Sequence, residues 1–83
     1  MKRMEREIIT RKLLRGETVD FEGIRLEMDE GPISSGDLYV AERNTGPKLL
    51  TALRISEELG CVFPTTPDYP YNIWECVKVK EST

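Results

Sequence analysis

Two cations flank a glycine-containing bend in the run Arg43-Asn44-Thr45-Gly46-Pro47-Lys48. The backbone N–H groups of such a bend can converge on an anion, as in phosphate-binding nests. Arg43 and Lys48 would then supply charge, and Asn44, Thr45 and the Gly46 backbone would supply donors. Arg43 would matter more than Lys48, because its planar fork binds two phosphate oxygens at once while a lysine is a point charge. The run is not a P-loop, since it lacks both the glycine-to-lysine spacing of that motif and a long following helix. The same residues also make an ordinary hairpin turn, with Asn and Gly taking up the unusual backbone angles.

A second group able to do chemistry is aromatic: Tyr69, Tyr71 and Trp74, with Tyr39 a candidate neighbour. Rings of this kind stack on a base while a nearby cation neutralises a phosphate. Tyr69 and Tyr71 stand in a loop stiffened by prolines, so presenting them costs little conformational entropy. The alternative is packing of these rings at the core and rim beneath the loop. Two carboxylates, Glu42 and Glu75, fall among apolar neighbours in strand-like segments. If their strands paired, the two could meet and one pKa would rise, although an ion pair with Arg43, Lys48 or Lys78 is the commoner outcome.

Other chemistries are excluded by what the chain lacks. It has no histidine, which removes the Ser-His-Asp triad, a His-paired thiolate and any His-ligated zinc. The two cysteines, Cys61 and Cys76, are too few for a structural zinc site and form no CxxC motif; their apolar neighbours favour buried free thiols. No cofactor and no metal is expected, and the chain reads as a non-catalytic protein.

Eighty-three residues are expected to form one domain, 1–83, with a small core, for which self-association is a natural way to bury more surface. The net charge of −3 conceals a segregation. Residues 1–16 carry six basic and two acidic side chains, residues 17–42 one basic and eight acidic, and the remainder is neutral. The acidic centre would repel a duplex, so nucleic acid is an unlikely partner. No apolar run reaches the 18 or so residues of a membrane helix, and the first residues lack the apolar stretch of a secretory signal, so a cytoplasmic location is expected.

Residues 3–15 have helix-forming composition and end at Gly16, suited to a left-handed cap, with Arg11, Lys12 and Arg15 matching the helix dipole. Val19 and Phe21 alternate with polar residues; after Glu22-Gly23 the parity flips to Ile24, Leu26 and Met28. A two-residue turn there pairs Phe21 with Ile24, Asp20 with Arg25 and Val19 with Leu26, placing the apolar side chains on one face. Residues 38–43 read as a strand. Residues 48–51 fit either its return or a helix starting near Pro47; the favoured reading is a return strand followed by a short helix over 52–59, capped by Thr51 and ended by Gly60. Residues 61–63 make a short strand, and 73–79 a central strand with Trp74 in the core.

The blocks Gly-Asp-Leu-Tyr-Val-Ala-Glu-Arg-Asn-Thr-Gly-Pro-Lys-Leu-Leu-Thr (36–51) and Tyr-Pro-Tyr-Asn-Ile-Trp-Glu-Cys-Val-Lys-Val (69–79) resemble short uncharacterised proteins of bacterial prophages and other mobile elements. The resemblance covers about a third of the chain and carries no catalytic motif. It implies a context in which small proteins bind a host protein or a host signal.

The expectation is therefore an α+β domain with an N-terminal helix, a largely antiparallel sheet of four or five strands and a short second helix. Its expected function is that of a homo-oligomer sequestering a nucleotide-like anion through Arg43, Asn44, Thr45, Gly46, Lys48, Tyr69 and Tyr71. The alternative is a module that binds and inhibits a host protein through the acidic hairpin, residues 17–30.

Overall fold

The hairpin forms as its alternation dictates. In the computed structural model, which describes residues 8–43 and 46–82, β1 (Val19–Phe21) pairs antiparallel with β2 (Ile24–Met28), Val19 opposite Leu26, Asp20 opposite Arg25 and Phe21 opposite Ile24. Glu22 and Gly23 both take positive φ, 54° and 85°, the signature of a type I′ turn whose twist matches the strands. Arg25 Nε lies 3.2 Å from Asp20 Oδ1 on the solvent side.

Five further strands extend this hairpin into one antiparallel sheet of seven: β3 (Leu38–Arg43), β4 (Gly46–Ser56), β5 (Cys61–Pro64), β6 (Tyr71–Asn72) and β7 (Cys76–Glu81). The order across the sheet is β1-β2-β7-β3-β4-β5-β6. The last strand thus inserts between the first hairpin and the central one, pairing with β2 on one side and β3 on the other. β7 is a central strand, as expected, but it begins at Cys76, and Ile73–Glu75 form a 3-10 turn instead of its first residues.

One face of the sheet is covered by α1 (Ile8–Leu14), the described part of the helix expected over residues 3–15; residues 3–7 lie outside the described residues. Leu13 is fully buried against Val19, Leu26, Val40, Val77 and Val79. The helix ends in the expected left-handed cap: Gly16 has φ 89°, its N–H donates to the Leu13 carbonyl and the Glu17 N–H to the Lys12 carbonyl. Glu42, one of the two carboxylates in apolar strands, points to this side and accepts from the Thr10 backbone N–H at 2.9 Å and the Thr10 hydroxyl at 2.8 Å. The other face gathers Tyr39, Ala41, Leu50, Ala52, Val62 and Tyr71 into a second core. Neighbouring residues of β3 thus feed opposite cores, Val40 one and Tyr39 and Ala41 the other.

The α+β expectation is corrected by this architecture, which is predominantly β: seven strands, one helix and one 3-10 turn among the described residues. The second helix expected at 52–59 does not form. Residues 48–51 are strand, and β4 runs on without a break to Ser56 before a turn at 57–60. Its leucines fit a helical period, but the pairing of Ala52, Arg54, Ile55 and Ser56 with β5 decides the matter. An irregularity in that ladder between Ala52 and Arg54 turns Leu53 outward, where it is exposed. Trp74, expected in the core, is also corrected: it is 68% exposed, because it sits on the 3-10 turn and not in β7.

Candidate functional site

The candidate residues fall at the β3–β4 end of the sheet and on the proline loop that crosses it. Arg43, the last residue of β3, stands opposite Gly46, the first of β4, and Lys48 stands opposite Ala41. Asn44 and Thr45 lie outside the described residues. The pleat puts Arg43, Ala41 and Lys48 on the face that holds Tyr71.

Arg43 is held on three sides. Its Nη2 donates to the Pro70 carbonyl at 2.8 Å, its Nε lies 3.2 Å from Glu75 Oε1, and its guanidinium stacks over the Tyr71 ring at 4.1 Å from the centroid. The same Glu75 oxygen accepts the Asn72 backbone N–H at 3.0 Å, so one carboxylate both fixes the arginine and closes the 3-10 turn. Tyr71 beneath is 4% exposed. Its ring is a floor for Arg43 and is shut off from any base.

Lys48 Nζ is 3.1 Å from Asp68 Oδ1, and Asp68 Oδ2 accepts from the Thr66 hydroxyl at 2.8 Å. The two hydrogen bonds, from Thr66 first and Lys48 second, hold the Asp68 carboxyl below its ordinary range, and Asp68 in turn raises the Lys48 ammonium. The pair therefore stays doubly charged around neutrality. Arg43 and Lys48 are each matched by a carboxylate, and an anion here has to displace Glu75 or Asp68. Neither carboxylate belongs to the set read from the sequence, although Glu75 was singled out as a salt-bridge candidate for Arg43.

The rings divide differently from the expectation. Tyr39 and Tyr71 belong to the core, and the Tyr39 hydroxyl is buried with no hydrogen-bond partner among the described residues. Burial raises its pKa, with smaller contributions from Cys76 and Tyr71. Tyr69 is 83% exposed and Trp74 stands in solvent as well. These two rings flank the points at which Arg43 grips the chain: Tyr69 precedes Pro70, and Trp74 precedes Glu75.

Glu42 and Glu75 do not meet. Glu42 bonds to Thr10 on the helix side while Glu75 bonds to Arg43 on the other, so a paired-carboxylate acid and base is not assembled. Cys61 and Cys76 are free thiols, each half-buried. Cys76 donates to the Asn72 carbonyl at 3.3 Å, and burial pushes its pKa up to about 12. Among the described residues no group of three or more His, Cys, Asp or Glu can hold a metal. No helix of these residues is long and apolar enough to cross a membrane.

Comparison with known proteins returned nothing similar: no family model, no curated protein and no solved structure matches the chain.

Proposed function

We propose that this is a small non-catalytic binding protein of the cytoplasm whose working surface is the segment 69–75, and that its target is another protein. The observation that carries the reading is the pair of exposed rings, Tyr69 and Trp74, on a stretch of chain that Arg43 fastens at Pro70 and Glu75. Aromatic side chains on a pre-ordered segment gain contact area on binding without a large loss of conformational freedom. Tryptophan, tyrosine and arginine are also the residues most often found to dominate protein interfaces. The resemblance of residues 36–51 and 69–79 to prophage proteins suggests that the target is bacterial.

Two other surfaces compete less well. The acidic hairpin is largely compensated: Asp20 pairs with Arg25, Glu17 with Arg15, Glu27 with Lys80 and Asp29 with Lys78. Sequestration of a nucleotide-like anion keeps one support, the exposed Lys48 beside the loop bearing Tyr69, but it requires Asp68 to give way.

The test is capture from a bacterial lysate by the wild type, Trp74→Ala and Tyr69→Ala, alongside calorimetric titration of the wild type with cyclic and linear nucleotides. The reading expects a protein retained by the wild type and lost with Trp74→Ala, and no heat with nucleotides. Nucleotide binding that survives Trp74→Ala and is lost with Lys48→Ala would replace it with the anion reading.

A further inference from the structure

We propose that the binding surface continues from Trp74 onto the turn at residues 57–60 and that the protein segment it receives is basic and apolar, an extension that rests on segment 69–75 being the binding surface. The two stretches of chain are joined. Cys61 of β5 stands opposite Asn72 of β6, and one step on the Ile73 N–H donates to the Gly60 carbonyl at 2.9 Å. Paired strands lie about 5 Å apart, and Leu59 and Trp74 are the next residues along the chain on either side of this bond. The turn itself is set locally: the Leu59 N–H donates to the Ser56 hydroxyl at 3.2 Å, and Gly60, with φ 68°, lets the chain reverse into β5. Leu59 is 66% exposed, Ile73 41% and Trp74 68%. Single exposed apolar residues are ordinary, whereas three that adjoin mark an interaction surface.

The sign of the partner follows from the carboxylates that the fold leaves unmatched. Along segment 69–75 and its flank, Asp68 is taken by Lys48 and Glu75 by Arg43. Glu57 and Glu58 stand exposed on the turn, and among the described residues neither is in an ion pair. Arg54, the nearest cation along the chain, stacks over the Phe63 ring at 4.1 Å from its centroid instead. Lysine or arginine on a partner therefore meets two uncompensated charges at the rim of an apolar patch, where they speed encounter and exclude acidic competitors. Nucleic acids and anionic lipid surfaces are repelled by the same two residues. Strand addition is closed off as well, because it needs free backbone groups on the segment. The Pro70 carbonyl is taken by Arg43, the Asn72 N–H by Glu75 and the Asn72 carbonyl by the Cys76 thiol, while Tyr71 pairs with Val62. Recognition is left to side chains: apolar ones on Leu59, Ile73 and Trp74, basic ones on Glu57 and Glu58.

The experiment follows the emission of Trp74, the single tryptophan of the chain, as the full chain is titrated at low salt with two short synthetic peptides. One alternates leucine and arginine, and the other has glutamate in place of arginine. The emission is expected to move to shorter wavelength with the arginine peptide and to stay unchanged with the glutamate peptide. Glu57→Gln/Glu58→Gln and Leu59→Ser are each expected to weaken binding of the arginine peptide about tenfold. Glu22→Gln controls for a generic loss of negative charge, since Glu22 is exposed on the β1–β2 turn at the other end of the strand order, and it is expected to bind as the wild type does. Circular dichroism reports the fold of each variant, and should Leu59→Ser lose its fold, the double carboxylate variant decides. Equal binding of the two peptides, no response to the arginine peptide, or a double variant that binds as tightly as the wild type overturns the inference. Capture from lysate judges segment 69–75 separately: a protein held through Trp74 keeps that segment as the binding surface even when the peptides fail, and no captured protein removes it.

Discussion

Replacing Arg43 by alanine removes three contacts at once, and the structure sets the size of the loss. The partly buried pair with Glu75 contributes about 0.5–1 kcal/mol. The charged hydrogen bond to the Pro70 carbonyl contributes about 1 kcal/mol, and stacking over Tyr71 a further ~0.5–1 kcal/mol. Together these come to about 2–3 kcal/mol, a large share of the roughly 5 kcal/mol total expected at the low end for small domains. With a urea dependence of about 1 kcal/mol per molar, the midpoint falls by about 2 M or more. Urea titration followed by circular dichroism measures this directly. Arg43→Lys keeps the charge but loses the planar stack and one donor direction, so it is expected to recover less than half of the loss. Glu75→Gln is expected to cost less than Arg43→Ala, because the Pro70 and Tyr71 contacts survive. A loss below about 0.5 kcal/mol for Arg43→Ala would show that the arginine does not fasten the segment.

Three further outcomes are expected. Trp74 emission should resemble that of a solvated indole and barely shift in urea, and Trp74→Ala should cost less than about 1 kcal/mol; a blue-shifted native emission would contradict its placement. Stability should fall as pH rises above 9: the Cys76 thiol keeps its proton up to about 12 in the folded chain, while the unfolded chain releases it from its ordinary value of 9.0, so the unfolded state gains at alkaline pH. Tyr39 acts in the same direction, and Cys76→Ala should flatten the slope between pH 9 and 10 if the thiol is its source; an unchanged slope there would refute this. Glu22→Asn should stabilise the β1–β2 turn by about 0.5 kcal/mol in a thermal melt, because asparagine tolerates the left-handed angles that Glu22 adopts there; a lower melting temperature would contradict the turn type.

The β1–β2 hairpin was legible because its information is local: the change of parity around Glu22-Gly23 favours the register of a two-residue turn over a longer loop, and that register forms. The end of α1 at Gly16 and the strand of residues 38–43 were readable for the same reason. Residues 52–59 were not, because their leucines suit either period and the arbiter is a partner strand, β5, whose pairing no local pattern records. Trp74 failed differently. Its apolar neighbours suggested a buried strand, whereas a carboxylate one residue on, Glu75, accepts the Asn72 N–H and turns the chain before β7 begins.

The candidate site was half legible on the same grounds. A bend with flanking cations is visible in sequence, but the groups that neutralise them are not: Glu75 lies 32 residues from Arg43 and Asp68 lies 20 from Lys48. Only the folded sheet brings each pair together. The same folding buries Tyr71 under Arg43 and leaves Tyr69 in water, a division that proximity to prolines cannot reveal.

The most direct test of the binding surface is a photo-crosslinking amino acid placed at position 73, exposed beside Trp74, and irradiated in a bacterial lysate. The surface proposed here predicts one dominant crosslinked protein, suppressed by excess unlabelled wild type and not by excess Trp74→Ala. Crosslinks that are absent, or that both competitors suppress equally, would contradict it.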